Sequence, residues 1–78
     1  MTLKEYATEL YDSGMHNVSI TDDGLLIYKI NYEITGDCNY QAESIYNEAR
    51  GAGVHDIRGV RVVKMPDNTV VGRYIKRK

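Results

Sequence analysis

The chain has 78 residues, one cysteine, 27% charged residues and a formal net charge of −1. That is material for one domain with a stability of about 4–12 kcal/mol, and it leaves little for a deep substrate cavity, a disulfide framework or a membrane-spanning run. The lone thiol Cys38, and an N-terminus without the charged-then-apolar order of a signal peptide, predict a cytoplasmic protein with no membrane partner.

The first helix is marked at both ends. Thr2-Leu3-Lys4-Glu5 fits a capping box, and Leu3, Tyr6, Ala7 and Leu10 form one apolar stripe over residues 3–13. Lys4, Glu5, Thr8, Glu9 and Asp12 take the wet side, and Gly14 supplies a left-handed stop. A hairpin follows, with residues 17–21 and 25–34 flanking Asp22-Asp23-Gly24 as a three-residue loop. Its register places Val18 opposite Tyr28, so that Val18, Ile20, Leu26, Tyr28 and Ile30 share a face that Tyr32 and Ile34 continue. The second strand outlasts the first. Its overhang, about 30–34, has backbone groups that need the other hairpin or another chain, which makes a homodimer an expectation.

The second half repeats the order. Asp37 or Asn39 can cap a helix with the stripe Cys38, Ala42, Ile45, Tyr46 and Ala49, closed by Arg50 and Gly51-Ala52-Gly53. A second hairpin then spans about 57–77 around Pro66-Asp67-Asn68, with Asn68 left-handed. Its register puts Val60, Val62, Val70 and Tyr74 on one face. Arg61 falls opposite Arg73 on the other face, with Val63, Val71, Ile75 and Arg77 around them.

Gly14-Met15-His16-Asn17-Val18 recurs as Gly53-Val54-His55-Asp56-Ile57, and the apolar positions before each segment coincide at the same offset. The predicted fold is therefore α+β, a two-layer αββαββ domain of tandem αββ units at about 2–36 and 37–78. It has a four-stranded antiparallel sheet with both helices on one face. Leu10, Ile20, Leu26, Ile45, Val60 and Val62 are its expected core.

The charge is divided along the chain. Residues 1–50 carry nine acids against three bases, and residues 51–78 carry seven bases against two acids. Arg61 and Arg73, joined by the basic tail Lys76-Arg77-Lys78, suggest a basic, partly apolar sheet surface for an anionic partner. An ordinary solvated face, its arginines paired with Glu33 or other acids, is the competing reading. Tyr11 and Tyr40 lie off or at the edge of the helical stripes and are the tyrosines placed for an interface. Glu5, Glu9, Asp12, Glu43 and Glu48 make the helices acidic, which suits a basic protein surface better than a DNA groove.

His16, His55 and Cys38 fit no metal signature and read as helix-to-strand punctuation and core. Nothing in the sequence calls for a cofactor. The expected function is that of a small non-catalytic regulator, adaptor or inhibitor in type, acting by protein–protein contact. The partner-binding candidates are Arg61, Arg73, Lys76, Arg77, Tyr11 and Tyr40. Weak nucleic-acid binding through the basic hairpin is the alternative, although its strand tyrosines are expected on the core face, away from bases. An enzyme is third, because no nucleophile–base pair can be identified; a pocket lined by polar groups from both halves would favour it.

Overall fold

The computed structural model describes residues 1–33 and 36–76. Its elements run α1 (Leu3–Asp12), β1 (Val18–Ile20), β2 (Leu25–Ile30), α2 (Asn39–Gly51), β3 (Gly59–Lys64) and β4 (Thr69–Ile75). The four strands make one sheet in the order β1-β2-β3-β4. β1–β2 and β3–β4 are antiparallel, but β2 and β3 run parallel from Leu25↔Gly59 to Ile30↔Lys64, so the sheet is mixed and not antiparallel throughout. The cause lies in the connection. A short loop returns the chain antiparallel, whereas α2 carries it from the end of β2 back to the start of β3, as a parallel pair requires.

The two helix ends are built alike. Gly14 and Gly53 have φ of +101° and +97°, and past each glycine the next N–H donates back into the helix, Met15 to Leu10 O at 2.9 Å and Val54 to Ala49 O at 3.1 Å. The equivalence stops there. β1 starts at Val18, four residues past Gly14, and lies at the sheet edge; β3 starts at Gly59, six past Gly53, and lies in the centre.

α1 begins with the capping box expected of it: the Glu5 N–H donates to Thr2 Oγ1 at 3.1 Å, and the Thr2 N–H donates to Glu5 Oε1 at 2.8 Å. The Leu3 N–H donates to Asp56 Oδ1 at 2.8 Å, which ties this helix start to the α2–β3 link. α2 differs from expectation. Its N-cap is Cys38 without a side-chain cap bond; Asp37 Oδ1 accepts instead from the Asn39 N–H at 3.2 Å. Asn39 does not cap, because its Oδ1 accepts the Arg73 N–H of β4 at 2.9 Å, while the Cys38 N–H donates to Val71 O at 2.9 Å. These two bonds cover part of the β4 edge. They require close approach, and a Cβ on the buried Gly72 would overlap the Cys38 backbone.

The core lies between the helices and one face of the sheet. Leu26, Val54, Ile57, Val60 and Val62 are fully buried there, with Leu3 and Tyr6 of α1 and Ala42, Tyr46 and Ala49 of α2 above them. Full burial of a side chain such as Leu26 stabilises by about 1.5–3 kcal/mol. Leu10, Ile20 and Ile45, expected in the core, are half-buried at its margin. β2 stops at Ile30, so residues 31–33 are not the expected strand overhang, and Ile30 O accepts the Met65 N–H at 2.7 Å. Tyr32 is exposed and not core-facing, and Ile34 lies outside the described residues.

The β3–β4 register matches expectation from Gly59↔Ile75 to Val62↔Gly72, then slips by one residue to Val63↔Val70. This bulge exchanges two valines between faces. Val71 packs against the core and Val70 is exposed, the reverse of the unbroken register. The β1–β2 register is as read from the turn, with Gly24 at φ +91°. Asn68 is left-handed at φ +59°, and the Met65–Pro66 peptide is cis. No helix among the described residues is long and apolar enough to cross a membrane.

Candidate interaction surface on the open face of the sheet

The face of the sheet turned away from the helices presents Ile27 and Lys29 of β2, Arg61 and Val63 of β3, and Arg73 and Ile75 of β4. Leu25 and Val63 are only 8% and 5% exposed although neither belongs to the core beneath the helices. Leu25 is covered from the Gly59 side. Gly59 supplies the space for this, since the position its Cβ would take is 3.0 Å from Leu25 Cδ2 and 2.9 Å from Ile75 Cδ1.

Arg61 and Arg73 are Cα partners across β3 and β4. The Arg73 N–H points outward to Asn39, so the two arginines sit at a non-hydrogen-bonded pair, where opposed side chains are closest. Arg58 and Lys76 continue the same ribbon one pair beyond Gly59↔Ile75, with the Lys76 N–H donating to Arg58 O at 2.8 Å. Alternation turns this second cationic pair to the other side of the ribbon's end, where Arg58, Lys76 and His55 border a depression of about 480 Å³. Arg58 was not among the residues singled out from sequence. The signal was present, because the register that opposes Arg61 and Arg73 also opposes Arg58 and Lys76.

Counter-charge is sparse. Among the described residues the only ion pair is Lys64–Glu33, so Glu33 is not the partner of the arginines. Asp23, in the β1–β2 turn, has its carboxyl held below the usual range, first by the Thr21 hydroxyl bonded to it, then by its own backbone N–H, and further by the charges of Arg61 and Arg58. Arg77, and with it Lys78, lies outside the described residues.

The tyrosine candidates belong to a different layer. Tyr11 stacks on His16 at the end of α1, ring centroids 4.1 Å apart, and Tyr40 is 83% exposed in the first turn of α2. Neither is brought to the arginine face. Tyr28 and Tyr74 face the core as expected, Tyr74 packing on Tyr46 at 5.0 Å. Cys38 is buried, His55 is exposed, and no group of three metal-ligating side chains comes together among the described residues.

One depression of about 380 Å³ does draw polar groups from both halves: Thr21, Asp22 and Asp23 from the first turn, Asp56 and Arg58 from the α2–β3 link. Two of its carboxylates already have structural work, Asp56 on the Leu3 N–H and Asp23 on the Thr21 hydroxyl. Compared with protein-family models, curated proteins and solved structures, the chain matches none.

Proposed function

We propose that this chain is a small non-catalytic binding module, adaptor or inhibitor in type, that works in the cytoplasm by protein–protein contact through the open face of its sheet. The observation that carries the reading is the Arg61–Arg73 pair: two like charges at the closest cross-strand position, with no ion pair to either among the described residues, set among Leu25, Ile27, Val63 and Ile75. Like charges directly opposed destabilise a strand pair by a few tenths of a kcal/mol to about 1 kcal/mol. A partner surface of carboxylates and aliphatic side chains would relieve that repulsion and bury the exposed half of Ile75 at the same time.

Weak nucleic-acid binding by Arg58, Arg61, Arg73 and Lys76 is the second reading. Four cations on one ribbon support it. Against it, Arg58 and Lys76 turn to the other side of the ribbon's end from Arg61 and Arg73, and the side chains interleaved with the arginine pair are aliphatic, whereas stacking of unpaired bases calls for aromatic rings. The polar depression that could favour an enzyme has Asp23 and Asp56 engaged as turn and helix-start acceptors, which supports a binding role over a catalytic one.

The two binding readings separate on salt and on aliphatic content. Fluorescence anisotropy with a labelled glutamate–leucine peptide and with a labelled single-stranded oligonucleotide, at physiological ionic strength, should give binding to the peptide and loss of it in Arg61→Gln/Arg73→Gln. Binding to the oligonucleotide alone would favour the second reading.

A further inference from the structure

α1 packs over β1 and α2 over β3 and β4, and between the two helices, beside the half-buried Tyr28 of β2, the surface dips into a groove of about 130 Å³. Leu10 and Met15 line it from α1 and its end, Leu26 and Tyr28 from the sheet, and Ile45 from α2. The size is that of a single apolar anchor; an apolar cavity of about 150 Å³ holds benzene.

Its rim is acidic. Glu48 of α2 lines it directly. Glu9 lies one turn after Tyr6, which lines the groove from α1, and the Tyr6 hydroxyl pKa is pushed up by burial first, then by the carboxylates of Glu48 and Glu9. Neither Glu9 nor Glu48 is in an ion pair among the described residues, and Arg50, the cation near the end of α2, donates to His55 O. A purely apolar occupant would leave those carboxylates without a partner. A cation next to the apolar anchor would meet them.

We propose that this groove is a second docking site, distinct from the open sheet face, that takes a segment of a protein partner carrying an apolar side chain flanked by lysine or arginine. The aliphatic stem of the cation lies along the groove wall while its charge meets Glu9 and Glu48. The groove is on the helical layer and the arginine pair on the opposite side of the sheet, so the two surfaces can be occupied together. The inference rests on none of the residues that carry the sheet-face reading, and either can fail without the other.

The probe is a short fluorescein-labelled peptide of alternating leucine and lysine, followed by anisotropy at physiological salt. Two controls replace leucine by serine and lysine by glutamate. The leucine–lysine peptide should bind and shift the amide resonances of Met15, Tyr28 and Ile45, and both controls should bind at least about tenfold more weakly. Glu9→Gln/Glu48→Gln changes only surface carboxylates and should weaken the peptide by about tenfold with an unchanged unfolding midpoint. Ile45→Ser should weaken the peptide by a similar factor through the wall, with a lowered unfolding midpoint because Ile45 also packs on the core. Equal binding of the serine–lysine peptide, wild-type affinity in the double glutamine variant, or shifts centred away from the groove would each overturn the proposal.

Discussion

Arg61 and Arg73 face one another across β3 and β4 at a position where the strands exchange no hydrogen bond, because the Arg73 N–H is turned outward to Asn39 Oδ1 at 2.9 Å. The same bond fastens the start of α2 to the β4 edge. One backbone group thus fixes the closest cross-strand placement of two cations and helps hold the helix that covers the other face. The fold specifies the repulsive pair instead of avoiding it, and the pair's effect on stability can be measured apart from its effect on binding.

Arg61→Gln/Arg73→Gln should raise the free energy of unfolding by about 0.5 kcal/mol, because a like-charge cross-strand pair is removed and no ion pair among the described residues is lost. A urea unfolding midpoint that rises slightly agrees with this. A clear fall would mean that the arginines hold the fold together.

Gly72→Ala should destabilise by about 3 kcal/mol, the upper range for overpacking, since the added methyl meets the Cys38 backbone where flexible side chains cannot give way. Hydrogen exchange locates the damage. The Cys38 and Arg73 amides, bonded to Val71 O and Asn39 Oδ1, should exchange faster relative to those of β1–β2.

Leu26→Ala should cost about 2–5 kcal/mol, enough to unfold a large share of a domain this small. Ile45→Ala should cost less, because Ile45 is half-buried on the groove wall while Leu26 is fully enclosed. Equal denaturant midpoints for the two variants would contradict the placement of the core.

Acid should weaken the molecule at two exposed carboxylates. Glu5 is held below its ordinary pKa by the Thr2 backbone N–H first and then by the Thr2 hydroxyl, and Asp23 by the Thr21 hydroxyl first. A folded pKa below the unfolded one means that the contribution is present above the unfolded pKa and disappears as pH falls through the folded value. Thr2→Ala removes the hydroxyl and keeps the backbone N–H, so it should bring the Glu5 titration, followed by side-chain carbon NMR, only part of the way back to the ordinary range and reduce part of the loss of stability on acidification.

The parts of the fold legible in the sequence are those with a local physical cause. Thr2 and Glu5 mark a helix start because they satisfy orphan donors. Gly14 and Gly53 mark helix ends because the left-handed conformation favours glycine, and Asp22-Asp23-Gly24 fixes a register through its turn. Non-local features were hidden. The matched helix ends suggested matched hairpins, yet the strand neighbour of β2 follows from the helix between β2 and β3, a strand–helix–strand spacing that indicates parallel pairing. The bulge at Val71 has only the neighbouring Gly72, a glycine inside a strand pattern, to announce it, and the fully buried Val54 and Ile57 lie in a link without periodicity. Of the candidate surface, the Arg61–Arg73 pair was legible through register. Its separation from Tyr11 and Tyr40 was not, because nothing local reports which layer a helix surface shares with a strand.

The most direct measurement is quantitative capture from lysate of the native host on immobilised wild-type protein and on Arg61→Gln/Arg73→Gln, each with and without nuclease, at physiological salt. The sheet-face reading predicts a protein that is retained by wild type, survives nuclease treatment and is lost from the folded double variant. Retention of that protein by the double variant, or its disappearance on nuclease treatment, would contradict it.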